Sequence, residues 1–275
     1  MARVLVTGGS GTLGREVVVR LARDGHRVRV MSRRSREPEA GGQAGTEWAQ
    51  ADLQSGEGLA GAVAGVDAIV HAASSPNIRT KEVDVDGTER LLAHARDAGV
   101  SHVVYISIVG IDRIPYPYYK HKLAVEGLVE RSGLPWTILR ATQFHSLIEF
   151  ILRRAMRLPV AFLATGLRFQ PLDPGEAANR LCECVAAGPS GRVPDIGGPE
   201  VRTLGDLARS RSDLLGLNRR VVPLPVPGRV AEGFRKGYNT VPENRYGKIT
   251  WEDWLRRKYR LAQREEPGSD GREIV

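Results

Sequence analysis

Apolar residues in the first half of the chain fall into short β-rich runs, separated by stretches in which hydrophobic positions recur at helical spacing. The runs predict strands at Arg3–Thr7, Arg27–Met31, Glu47–Ala51, Ala68–Ala72, His102–Ser107 and Trp136–Arg140. Between them the spacing predicts helices at Thr12–Asp24, Leu59–Val63, Val83–Ala98 and Tyr118–Ser132, with Gly25, Gly99 and Gly133 where three of them should stop. This alternation of strands and helices implies right-handed crossovers and a doubly wound parallel sheet of the α/β class. Past about residue 140 the pattern loosens around Asp173-Pro174-Gly175, Gly197-Gly198-Pro199 and Pro223-Leu224-Pro225, and only Thr203–Leu215 and Thr250–Leu261 read as firm helices. The expected organisation is one unit over 1–262, with a core at 1–145, a small mixed C-terminal portion at 146–262 over the strand ends, and a polar, disordered tail at 263–275.

The first strand runs into Thr7-Gly8-Gly9-Ser10-Gly11-Thr12-Leu13-Gly14 and then into an amphipathic helix carrying Val17, Val18 and Leu21. Strand, glycine turn and helix in that order are what a pyrophosphate requires. Glycine permits the tight reversal and the close approach of backbone to anion, and the free N–H groups of the helix start face the charge. The run therefore points to a Rossmann-type dinucleotide site formed by Gly8, Ser10, Gly11, Thr12, Leu13 and Gly14, with two glycine registers open, one starting at Gly8 and one at Gly9. After the second strand, where an acidic residue would bind the adenosine ribose, stands Ser32-Arg33-Arg34. A guanidinium fork suits a 2′-phosphate, so NADP(H) is the expected cofactor, with Arg33 first in line and NAD(H) the alternative. Asp52, after the third strand, is read either as an acceptor for the adenine amino group or as a helix N-cap.

A net charge of +8 raises the question of nucleic acid, but of 40 basic residues only six are lysine and the 34 arginines are spread along the chain. No nucleic-acid partner is expected, and no membrane partner either, since no apolar stretch approaches the roughly 20 residues of a bilayer span. The chain enters a strand without a leader, which points to the cytoplasm. Cys182 and Cys184, two apart in a helical pattern, suit reduced core thiols, and no metal site is expected.

Further matches then add up: Ala51-Asp52-Leu53, His71-Ala72-Ala73, Asp86-Gly87-Thr88 leading into Leu91-Leu92, Ser107 at a strand end, and Tyr118-Tyr119-Lys120-His121-Lys122. With the glycine run these resemble, in order, the short-chain dehydrogenase/reductase superfamily, extended or atypical branch, near the NmrA-like NAD(P)H-binding proteins. The resemblance prefers the Gly8, Gly11, Gly14 register and adds Leu53, Ala72 and Ala73 to the nucleotide contacts. Its YxxxK element occurs twice, as Tyr116 with Lys120 and as Tyr118 with Lys122. Pro117 suits the first turn of a helix and drives Tyr116 extended, so Tyr118 and Lys122 form the better-placed pair. A lysine about 4 Å from a tyrosine, at an effective dielectric near 20, interacts by roughly 4 kcal/mol, about three pKa units, enough to bring Tyr118 near 7. The resemblance gives Lys122 a second role on the nicotinamide ribose and makes Ser107 the residue that orients the substrate oxygen. One departure stands out: Asp84 occupies the place of an asparagine frequent in the family.

Gln143, Phe144 and His145 leave the sixth strand at the carboxyl edge and are candidates for the wall of the substrate pocket, with His145 read as a packed or helix-capping residue ahead of an acid or base. The expected function is NADP(H)-dependent hydride transfer to or from a carbonyl or quinone-like small molecule, with a homo-oligomer compatible with the sequence. Two rival readings are a sugar-nucleotide epimerase or dehydratase that retains its cofactor, and a non-enzymatic NADP(H) sensor of NmrA type.

Overall fold

The computed structural model describes residues 1–33, 46–74 and 81–261. The first half runs β1 (Arg3–Thr7), α1 (Thr12–Arg23), β2 (Arg27–Ser32), β3 (Thr46–Gln50), α2 (Leu59–Val63), β4 (Ala68–His71), α3 (Gly87–Asp97), β5 (His102–Ile108), α4 (Pro117–Glu130) and β6 (Trp136–Ala141). A π-helical turn at Lys81–Asp86 leads into α3, so the long helix expected from Val83 is two segments. Then come α5 (His145–Ala155), β7 (Val160–Leu163), β8 (Arg168–Phe169), α6 (Pro174–Ala187), β9 (Gly191–Arg192), β10 (Arg202–Thr203), α7 (Leu204–Leu214), β11 (Arg220–Pro223), α8 (Arg229–Arg235) and α9 (Trp251–Tyr259).

The main sheet has seven parallel strands in the order β3-β2-β1-β4-β5-β6-β9. The order reverses between β1 and β4, the place where doubly wound sheets open a crevice for ligands. Burial on both faces explains the near-continuous apolar strands: Val4 and Val6 point into one core beneath α1 and α6, while Leu5 points into the other beneath α2, α3 and α4. In β5 the same alternation sends Val104 and Ile106 one way and Val103 and Tyr105 the other.

Two features depart from the expected layout. A seventh strand, β9, extends the sheet beyond β6, and α6 packs against α1, so the chain returns to the core after 145 rather than leaving it for good. The C-terminal portion is therefore split around α6 and β9. Its own core joins Ile148 and Leu152 of α5, Leu163, Phe169, Leu207, Trp251 and Leu255. The polar tail expected to be disordered lies outside the described residues.

One ion cluster fixes α4 on the sheet. The fully buried Glu126 accepts two bonds of 2.8 Å from the Arg140 fork on β6, and Arg192 of β9 reaches the same carboxylate at 2.8 Å. Burial works against that carboxylate, yet the hydrogen bonds from Arg140 and Arg192, with Ser107 close by, hold it below the usual range. Removing one partner of a buried pair strands the other. Glu126→Ala is thus expected to lower the unfolding free energy by about 3 kcal/mol, read from urea denaturation, and an unchanged midpoint would show the clamp to be dispensable.

Candidate nucleotide and catalytic site

The chain leaves β1 at Thr7 and reverses at Gly8, whose φ is +69°, and the Gly11 N–H donates to the Gly8 carbonyl at 2.9 Å. A β-carbon on Gly8 would meet the Ala73 backbone at 2.8 Å, and one on Gly14 would meet the Gly8 carbonyl at 2.1 Å. On Gly11 it would touch only the Gly8 carbonyl, at 3.2 Å. Gly8 and Gly14 thus let backbone press against backbone, while Gly11 sits exposed at the rim with Ser10 and Thr12; Leu13 is buried beneath. Gly9 lies against Val30. The start of α1 has no side-chain cap and no acidic residue in its first turn, unlike α6, α7 and α9, which are capped by Asp173, Thr203 and Thr250. An uncapped helix start behind a turn that excludes side chains fits a dinucleotide pyrophosphate.

Arg33 stands exposed just beyond β2; Arg34 lies outside the described residues. Asp52 accepts the Gln54 N–H at 2.8 Å, closing a local turn. The next helix starts only at Leu59, behind Gly58, so the N-cap alternative for Asp52 does not hold. Leu53 is buried and packs against Gly87, and Ala72 and Ala73 are half-buried beside Gly8.

A chain of buried hydrogen bonds connects these pieces. Thr88 donates to the Asp84 carbonyl at 2.5 Å, so its oxygen accepts from His71 Nε2–H at 2.8 Å. That fixes the tautomer: Nδ1 accepts from Thr7 Oγ1 at 2.7 Å, and Thr7 Oγ1 accepts from the Ala73 N–H at 3.1 Å. Every proton in the chain has one acceptor, and burial, with the charge of Lys122, holds His71 neutral by pulling its pKa down to about 3.

The two tyrosine–lysine pairs separate clearly. Tyr116 is the extended residue before α4, at φ −88° and ψ 131°, and is exposed, whereas Tyr118 and the buried Lys122 share one face of the helix. The Tyr118 hydroxyl lies 2.7 Å from Ser74 Oγ, and Ser74 Oγ donates to Asp84 Oδ2 at 2.6 Å. Since Ser74 has one hydrogen and spends it on the carboxylate, Tyr118 donates to Ser74. Ser74 and Asp84 were not among the residues expected at the site. The only signal in the sequence was the acidic departure at Asp84.

Lys122 donates to the Ile106 carbonyl at 2.9 Å and lies over the Tyr105 ring at 4.3 Å. Burial lowers its pKa to about 8, against the raising charges of Asp84 and Glu126. Burial pushes Tyr118 up to about 12; Ser74 opposes the rise only by turning its hydrogen to the phenolate, and the Asp84 charge adds to it. Bringing Tyr118 near 7 through Lys122 is therefore not what this geometry does: the ammonium faces Tyr105 and a carbonyl, and the tyrosine is a neutral hydroxyl at pH 7. Ser107 is buried in β5 near its end, with an Oγ that makes no hydrogen bond of normal geometry, although it lies close enough to Glu126 to help lower that carboxylate.

The expected pocket wall after β6 is mostly interior. Gln143 Oε1 accepts from Asn239 Nδ2 at 2.9 Å beneath the surface. His145 is 1% exposed, lies 5.8 and 5.6 Å from the rings of Trp251 and Trp254, and bonds through Nε2 to the Ile249 carbonyl at 3.1 Å. His145 is thus a packing residue, because aromatic stacking and a backbone acceptor consume the faces a substrate would need. Of the three, Phe144 alone keeps part of its surface. Cys182 and Cys184 are both buried and reduced in α6. Among the described residues no helix is long and apolar enough to cross a membrane.

A parallel sheet with its glycine turn at the switch point and a Tyr–Lys pair at the strand ends defines a nucleotide-binding protein of the short-chain dehydrogenase/reductase type. The chain belongs to the NAD(P)H-binding family, whose model matches residues 8–146. It is 31% identical over 249 residues to the (4-alkanoyl-5-oxo-2,5-dihydrofuran-3-yl)methyl phosphate reductase of Streptomyces griseus, covering 84% of each chain. It is also 31% identical over 151 residues to the photosystem II assembly factor Ycf39 of Trieres chinensis, covering 53% of this chain and spanning only about half, 47%, of that protein. In structure it resembles the NADPH-dependent quinone oxidoreductase QOR2 of Escherichia coli, solved with NADPH, at a TM-score of 0.79 and 19% identity over 93% of this chain and 99% of that one. A nucleoside-diphosphate-sugar epimerase of Staphylococcus aureus shares the fold at a TM-score of 0.76 and 15% identity, over 92% and 99%.

His71 titrates near 6.5 in an unfolded chain but only near 3 in the fold, so its contribution is complete above about 6.5 and shrinks as the pH falls toward 3. Between pH 7 and pH 5 this linkage is expected to cost about 2 kcal/mol, and His145, pulled down to about 4, adds a similar amount. Denaturant unfolding at the two pH values measures the loss; equal stability at both would contradict a neutral, buried His71.

Proposed function

We propose that the protein is an NADPH-dependent reductase acting on a carbonyl or quinone-like group of a small molecule. The observation that carries this reading is the neutral Tyr118 hydroxyl, 2.7 Å from Ser74 and on the same helix face as buried Lys122. When bound, the nicotinamide supplies the hydride. Tyr118 delivers the proton to the substrate oxygen, and Ser74 then turns its hydrogen toward the phenolate, stabilising the charge that appears there. Lys122, charged below about 8, offers its remaining N–H donors to the nucleotide ribose. The orienting role that the resemblance implies for Ser107 is not part of this reading, because its Oγ is buried beside Glu126. Gly8, Gly11 and Gly14 with the start of α1 hold the pyrophosphate, and Arg33 takes the 2′-phosphate that favours NADPH over NADH. The likeness to a reductase over 84% of both chains supports the same reading.

Following NADPH oxidation against panels of carbonyls and quinones tests it. Tyr118→Phe is expected to lower kcat by roughly 100-fold or more while nucleotide binding persists, and Tyr116→Phe to leave turnover unchanged. Full activity in Tyr118→Phe would sink the assignment, and product formed without net NADPH consumption would indicate an epimerase. Turnover should fall as the pH rises past about 8, where Lys122 loses its proton. Arg33→Ala should raise the KM for NADPH by about tenfold and spare that for NADH.

A further inference from the structure

A cavity of about 700 Å³ opens where the loop after β5 meets the C-terminal portion, and five cationic side chains but only two carboxylates line it. Two of the cations are already balanced: Arg202 by Glu252 at 2.8 Å and Glu200 at 3.5 Å, and Lys236 by Glu232 at 2.7 Å. Arg113, Arg168 and Arg245 form no ion pair with any described carboxylate. They come from three separate segments, so their convergence is a product of the fold and not of a basic run. Arg113 is held in place, its guanidinium 3.7 Å from the centre of the Tyr238 ring. Arg168 sits on a strand whose carbonyl accepts from Asn239 at 2.9 Å, which knits β8 to the turn carrying Tyr238. Three guanidinium groups on one concavity offer planar donors that match the oxygens of a phosphate.

The cavity adjoins the catalytic side. Tyr238, the shelf under Arg113, packs in the same apolar cluster as Tyr118 and Tyr119. Its carbonyl would lie 2.1 Å from a β-carbon on Gly110, so the turn is pressed against the end of β5. The nucleotide phosphates have their own place at the β1 turn and Arg33, on the other half of the sheet. We infer that Arg113, Arg168 and Arg245 bind a phosphate-type oxyanion, the anionic end of the substrate. That assignment to substrate rests on the reductase reading.

The test titrates the NADPH-loaded protein with inorganic phosphate, against chloride at equal ionic strength, and follows thermal stability and binding heat. Saturable binding of phosphate is expected, weakened roughly tenfold in Arg168→Gln/Arg245→Gln while NADPH affinity is unchanged. A second arm compares turnover of a carbonyl substrate with and without a phosphate ester: the ester should have the lower KM, and the double variant should erase the difference. Phosphate no better than chloride, or equal affinity in the variant, overturns the site. Arginine-dependent phosphate binding with no NADPH consumption on any substrate would keep the site and end the reductase reading. NADPH consumption without phosphate preference would do the reverse.

Discussion

The buried chain Thr7–His71–Thr88 is the constraint on which the site depends. Thr7 is the last residue before the glycine turn, His71 the last of β4, and Thr88 the first turn of α3, which follows the segment carrying Asp84. Tying these three ends together fixes the turn that would take the pyrophosphate, the half-buried Ala72 and Ala73, and the carboxylate to which Ser74 donates. A buried imidazole is costly unless both nitrogens are satisfied. Here both are, and the order of donors leaves a single tautomer, so the network specifies one arrangement of the crevice rather than merely stabilising it.

Helix α4 is held to that crevice from its other end. Pro117 begins it and leaves Tyr116 outside; nine residues on, Glu126 is gripped by arginines from two strands. Tyr118 and Lys122 lie between these anchors, one turn apart. Because Glu126 is engaged by Arg140 and Arg192, Lys122 makes no salt bridge with it despite the spacing that suits one. The ammonium stays buried, donating to a carbonyl and lying over the Tyr105 face, and burial lowers its pKa.

Much of this was legible in the sequence because it is local. The central strands β1, β4 and β5 carry a near-continuous apolar signature since both sheet faces are covered there, the glycine turn has its strand and helix on either side, and Pro117 marks where α4 begins. What escaped is non-local. Ser74 has meaning only once β4 and α4 bring it against Tyr118, and β9 is two residues long, too short for any periodicity to show. The return of α6 to the core could not be seen because its apolar face resembles that of any amphipathic helix. The packed reading of His145 could be given from the sequence, but not its partners, Trp251 and Trp254, which lie more than a hundred residues on. The pKa of Tyr118 was missed for a related reason: a lysine four residues on is near in sequence, but the direction of its ammonium is set by β5.

That misjudgment bears on the direction of chemistry. A tyrosine with a pKa of about 12 is a proton donor at neutral pH, and removing its proton at pH 7 costs roughly 7 kcal/mol before any substrate is involved. An oxidation that began with Tyr118 as a base would meet that cost at the outset. A reduction meets it only as the substrate oxygen gains charge and becomes the stronger base, when the Ser74 hydrogen can swing onto the phenolate. Asp84 sharpens the asymmetry, since its charge opposes the phenolate. An asparagine at that position would remove this opposition. With Asp84, Ser74 and Tyr118 placed as they are, the site is electrostatically better suited to giving a proton than to taking one.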